Sequence, residues 1–192
     1  MALQYPETAR VDSTDTYFGN EVPDPYRWLE DDNSEETAAW VKSQNEITDT
    51  YLAKIPFREE LNARLTEIWN YPKYGVPYKQ GGRYFYRKND GIQNQSVLYQ
   101  IPAPGAEPVV AIDPNGFSDD GTIALVRYNV SPDGRLIAYA LSDGGSDWTT
   151  MRVRDLATGR DLDDELTDIK FTAAAWAADS QGFFYGRYPR NE

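Results

Sequence analysis

The sequence predicts an α+β chain: a helical N-terminal arm followed by an incomplete set of β-repeats. Three observations carry this prediction. Before residue 70, apolar residues recur at spacings of three and four. Beyond it, short strand-like runs alternate with turn residues. Those runs also carry a glycine that returns at nearly equal intervals.

The arm begins with "DPYRWLED", Asp24 to Asp31. Asp24 followed by Pro25 reads as an N-cap and first turn, because proline lacks the N–H that a first turn leaves unpaired. Its aromatics are expected to pack and its acids to lie at a solvated edge. A second start falls at Asn33, with Glu36 three residues on in capping-box spacing. Trp40, Gln44, Ile47, Tyr51 and Ile55 form one stripe, widened by Val41 and Leu52. Pro56 ends or restarts the helix, and Phe57, Leu61, Leu65, Ile68 and Trp69 mark the next one.

"NYPKYGVPYKQGG", Asn70 to Gly82, breaks the helical period and reads as a linker. After it come "RYFYRK", "SVLYQI", "PVVAI", "IALVRYNV", "RLIAYALS", "TTMRVRDL" and "FFYGRY". Met151 and Val153 alternate with Thr150, Arg152 and Arg154, as in a strand with one wet face. "RLIAYALS" is apolar on both faces, as for a strand between two layers. Gly82, Gly134 and Gly182 each follow a polar turn and precede an apolar strand ending in tyrosine. Their intervals of 52 and 48 residues lie close to the ~50-residue period of some propeller blades. A β-sandwich with regular hairpins stays open as the alternative. A closed propeller needs about four to eight blades of about four strands each, and the strands here suffice for two to three blades.

Composition narrows the function. The 192 residues are 40% hydrophobic and 14% aromatic, enough for a packed core. The 19 basic residues against 31 acids give a net charge of -12, which opposes nucleic-acid and anionic-membrane partners. No apolar run approaches the ~20 residues of a membrane helix. The start "MALQYPETAR" lacks the basic and apolar regions of a secretory signal, so a cytoplasmic location is expected. Cysteine and histidine are both absent. Thiolate nucleophiles, zinc–thiolate sites and a Ser-His-Asp triad therefore cannot be built from these residues alone. The acidic runs do not match calcium-loop spacing, and no metal or cofactor is expected.

"DDGT" (Asp119 to Thr122) and "SPDG" (Ser131 to Gly134) read as tight turns. "DLDDELTD", Asp161 to Asp168, reads as a solvated connection, and "NDGIQNQS", Asn89 to Ser96, as a polar hairpin. "GGSDW", Gly144 to Trp148, sets a carboxylate beside a large aromatic in a glycine-flexible loop, which suits a ligand-facing rim as well as a structural turn.

Several stretches together resemble the N-terminal portion of the prolyl oligopeptidase (prolyl endopeptidase) family. They are "DPYRWLED", "WVKSQNEIT", "NYPKYG", "YFYRKNDGIQNQSVLY", "DPNGFSDDGT", "SPDGRLIAYALSDGGSDW" and "IKFTAAAWAADSQGFFYGRYP", in the family's order from Tyr5 to Pro189. The resemblance implies residues 1–72 as the N-terminal helical segment of a split α/β-hydrolase domain. Residues 73–192 would be the first blades of a β-propeller inserted into it. It implies a serine endopeptidase that cleaves short peptides after proline, with the propeller gating access. The triad, on a G-x-S-x-G elbow, belongs to a C-terminal segment that these residues do not contain. The chain is thus expected to be a fragment, inactive alone, whose partners are the missing propeller and hydrolase segments and short proline-containing peptides. Phe171 matches a family aromatic lining the peptide pocket, and Asp147 a family acid facing the cavity. A core phenylalanine and a turn aspartate are their plainer readings. Val126 stands where the family has a further arginine, with Arg127 one position along; Phe18 stands where it often has histidine. The competing expectation is a stand-alone, non-catalytic β-repeat binding module.

Overall fold

Ser34 starts the long N-terminal helix, not Asn33: the Ser34 hydroxyl accepts a hydrogen bond from the Thr37 N–H at 3.1 Å. The computed structural model describes residues 4–188 and divides into two units between Leu65 and Thr66. In the first unit, β1 (Thr14–Tyr17) and β2 (Asn20–Pro23) form an antiparallel hairpin that the sequence reading did not foresee. Its tight turn holds Phe18 and Gly19 at φ 52° and 82°. Such primed turns match strand twist, but here a phenylalanine occupies a position that glycine or asparagine usually fills.

Asp24-Pro25 opens a single 3-10 turn, Arg27–Glu30, rather than an α-helix. Asp24 accepts from the Tyr26 N–H at 3.2 Å, and Arg27 pairs with Asp15, Asp24 and Glu30. The acids of this stretch are therefore partly consumed in holding Arg27. Tyr26 is exposed, while half-buried Trp28 donates its indole N–H to Ala9 O at 3.0 Å. Helix α1 spans Glu35–Leu52 and α2 spans Arg58–Trp69, so Pro56 falls in the break. Along the α1 stripe, Trp40, Gln44, Ile47 and Ile55 are half-buried and Tyr51 is exposed. The α2 stripe, Phe57 to Trp69, is exposed throughout, although the periodicity places the helix correctly.

The second unit begins by correcting the linker reading. β3 (Lys73–Tyr74) and β4 (Tyr78–Gln80) both pair with β5 (Arg83–Asn89), so "NYPKYGVPYKQGG" supplies an interrupted first strand. β6 (Val97–Ile101) and β7 (Val109–Ile112) complete that sheet. The next sheet runs in chain order through β8 (Ala124–Val130), β9 (Leu136–Ser142), β10 (Thr149–Asp155) and β11 (Asp161–Ile169). β12 (Ala175–Trp176) and β13 (Phe183–Phe184) open a third. A four-stranded antiparallel meander repeated in this way is the propeller-blade pattern.

β11 corrects a second expectation, because "DLDDELTD" is a strand and not a connection. Cross-strand pairs of Arg152 with Glu165 and Arg154 with Asp161, both at 2.7 Å, draw it onto β10. Its remaining exposed acids blunt an outer sheet edge. β9 is buried on both faces, as its composition predicts. Ile137 and Tyr139 join Phe85, Leu98, Ile112 and Leu125 in one core cluster. Ala138 and Ala140 join Met151, Val153 and Ile169 in another, against which Trp176 and Phe183 pack. Gly82, Gly134 and Gly182 occupy equivalent positions, the turns β4–β5, β8–β9 and β12–β13. The β-sandwich alternative gives way to this recurrence.

Candidate functional site

Antiparallel meanders send successive loops to opposite ends of the blades. The glycine turns occupy one end. The other gathers the β5–β6 loop, the β7–β8 connection, the β9–β10 loop and the β11–β12 connection. "NDGIQNQS", "DDGT", "GGSDW" and Phe171 thus share one end of the second unit.

The first two serve structure. Asn94 donates to Gly121 O at 2.9 Å, and the Gln95 carboxamide bridges Ile123 O and the Leu125 N–H. Asp120 accepts from the Thr122 N–H and hydroxyl, bonds that hold its carboxyl below the usual carboxylate range. This is turn chemistry, as the sequence predicts.

The other two form a cluster. Gly144 and Gly145, at φ 56° and 78°, let the β9–β10 loop turn before Asp147 and Trp148. Trp148 N–H donates to the Ser146 hydroxyl at 3.1 Å. From the end of β11, Lys170 reaches this loop. Its Nζ lies 3.4 Å from Asp147 Oδ2, 5.2 Å from the Trp148 ring centre and 5.1 Å from that of Phe171. Tyr188 meets Trp148 edge-on at 5.8 Å. Asp147 and Phe171, distant in sequence, are therefore brought together through Lys170. Sequence reasoning passed over Lys170, whose only signal was its place before Phe171.

Phe171 is 69% exposed and is no core residue. Its φ of 54°, like the 60° of Asp168, lies in the left-handed region, which costs a bulky residue about 1–3 kcal/mol. The surrounding contacts hold this bend: Thr149 Oγ1 donates to Ile169 O, Tyr188 N–H donates to Asp168 O, and Arg187 pairs with Asp168. Trp148 and Asp168 also border a groove of about 400 Å³ lined with Leu141, Thr150, Arg152 and Glu165.

A second groove, about 560 Å³, runs over the inner strands beside Tyr78, Gln80, Tyr128 and Trp176. Burial raises the phenols of Tyr78 and Tyr128, so both stay protonated near neutrality. On β8 the pairing with β9 skips a residue between Leu125 and Arg127. This bulge leaves Val126 and Arg127 both exposed. Among the described residues no group of acids is arranged to hold a metal ion, and no helix is long and apolar enough to cross a membrane. With neither histidine nor cysteine in the sequence, no Ser–His or Cys–His pair can be built from these residues.

A family model described as the prolyl oligopeptidase N-terminal β-propeller domain matches residues 6–192. The chain belongs to the prolyl oligopeptidase family. Among its relatives, a prolyl endopeptidase of Elizabethkingia miricola is 48% identical over 189 residues, which are 98% of this chain and 26% of that protein. Prolyl oligopeptidase A of Amanita bisporigera is 38% identical over 96% of this chain and 28% of its own length. A solved structure from a mechanistic study of two prolyl endopeptidases superposes with a TM-score of 0.84 at 34% identity, covering 98% of this chain and 28% of that one. Prolyl oligopeptidase B from Galerina marginata, solved with a 35mer hydrolysis and macrocyclization substrate, superposes at 0.77 with 33% identity, over 97% and 30%. The chain thus spans about a quarter of the length of the curated relatives it matches. The match is to the family's N-terminal β-propeller domain, and the Lys170 cluster lies at one end of the second and third sheets of the second unit.

Proposed function

We propose that this chain is the N-terminal portion of a serine endopeptidase that cleaves short peptides after proline. In this reading residues 1–72 form the helical arm of a split α/β-hydrolase domain. Residues 73–192 form the first two to three propeller blades, and the propeller admits short peptides while excluding folded proteins. Asp147 and Phe171 face the peptide from the propeller side. The observation that carries the reading is the 48% identity to a prolyl endopeptidase across 98% of the chain. The exposure of both side chains in one cluster supports it further.

The chain alone supplies peptide-facing surface and no triad, so it is expected to be inactive. Purified residues 1–192 should release no fluorophore from a proline-containing fluorogenic peptide; turnover would overturn the inactivity. The source reading frame beyond Glu192 should encode a G-x-S-x-G elbow followed by an aspartate and a histidine. Their absence would remove the peptidase reading itself.

A further inference from the structure

We infer that Trp148, Phe171 and Asp147 form an ammonium-binding subsite for cationic peptides, which Lys170 occupies when no peptide is bound. The inference rests on the reading that Asp147 and Phe171 face the peptide, and it adds the chemical class of group they receive.

Two aromatic faces and one carboxylate around a single point are the groups that recognise an alkylammonium ion. Here all three converge on Lys170 Nζ, at 5.2, 5.1 and 3.4 Å. The occupant is tucked in while its hosts are open: the Lys170 side chain is 26% exposed and that of Asp147 59%. Trp148 and Phe171 are 51% and 69% exposed. Rings left this open do little for a core. The left-handed backbone at Phe171 presents its ring without burying it, a use of strain typical of ligand contacts. Tyr188, edge-on to Trp148, backs that indole.

Nothing in this geometry requires the ammonium to come from Lys170. A lysine side chain or free α-amino group of a peptide offers the same charge and donors. Lysine is a flexible stem, and the cluster sits on a loop with two left-handed glycines, so the intramolecular cation can leave. An incoming peptide must displace it, which weakens apparent affinity by the reciprocal of the fraction of time the subsite is empty.

The test titrates the intact 192-residue chain with two short N-acetylated proline-containing peptides that differ only in lysine against norleucine. Binding is read by calorimetry and by the Trp148 indole NMR signal. Lys170→Met should bind the lysine peptide about tenfold more tightly than the unmodified chain, as expected if the subsite is filled about nine-tenths of the time. The norleucine peptide should bind both equally. Adding Asp147→Asn to Lys170→Met should remove most of the gain, and Lys170→Gln should reproduce it without an apolar replacement. A lysine peptide that binds the Lys170 variants no better than the original chain overturns the subsite. So does an equal gain for norleucine, or absence of binding throughout. Because the readout is binding, these failures leave the post-proline peptidase reading standing, just as failure to find a catalytic elbow leaves this result unaffected.

Discussion

At Gly81 and Gly134 two successive blades meet backbone to backbone. A Cβ on Gly81 would lie 2.1 Å from Gly134 N, and one on Gly134 would lie 2.6 Å from Gly81 O. Both residues also hold positive φ, 55° and 74°. Gly134→Ala therefore combines left-handed strain with a clash that only backbone movement relieves. A loss of about 2–4 kcal/mol in urea unfolding is expected. Gly159→Ala has similar φ, 69°, but open space around it, and should cost only about 1 kcal/mol. Equal losses would refute the contact argument. Tyr139 sets a second residue-scale expectation, since burial pushes its phenol up to about 12. In the unfolded chain a tyrosine releases its proton near pH ~10 while folded Tyr139 still holds it. The unfolded state then binds fewer protons, so stability is complete below about pH 10 and falls as pH rises through about 12. Tyr78 and Tyr128, whose phenols are also raised by partial desolvation, act in the same direction. Chemical-denaturation midpoints should drop between about pH 10 and 12, and less steeply in Tyr139→Phe.

Among the elements, α1 depends on its cap more than most helices do, because Thr37 is its one buried residue. A helix with little fully buried surface relies more on its ends. Ser34→Ala should cost about 1 kcal/mol and lower the far-UV helical signal on mild warming, while Asn33→Ala should change little. The cap shows what the sequence could and could not specify. "NSEE" marks a helix start clearly, but Asn33 and Ser34 are both good caps, and only geometry decides between them. Apolar periodicity located both helices and β5, β6, β8, β9 and β10 because each has a repeating pattern to read. β11 escaped notice because its acids mimic a loop, and its pairing depends on Arg152 and Arg154 across the sheet. β3 and β4 were hidden by prolines and glycines, which interrupt a strand as readily as they form a linker. Asp147 is marked in the sequence by the "GGSDW" loop and by resemblance, Phe171 by resemblance alone. Lys170 was not, since its role comes from contacts across more than twenty residues of chain with no local signature.

For the whole chain, two opposing terms decide how it behaves in solution. Large apolar side chains stand open in both units: Leu61 and Leu65 on α2, and Val76 at 90%, Ile92 and Phe184 in the blades. Such surface, together with the edges of short strands, favours association with other chains. Against it stands the net charge of -12, which keeps copies apart at low ionic strength. The repulsion is long-ranged and screened by salt, with a Debye length near ~10 Å at about 0.1 M and ~3 Å at about 1 M. Apolar contact is not screened. Raising salt at constant protein concentration should therefore increase self-association, where a chain held together by ion pairs would dissociate. Light scattering coupled to size exclusion should show the weight-average mass climbing between about 0.05 and 0.5 M sodium chloride. A constant monomer mass across that range would mean that the exposed apolar residues do not form an adhesive surface.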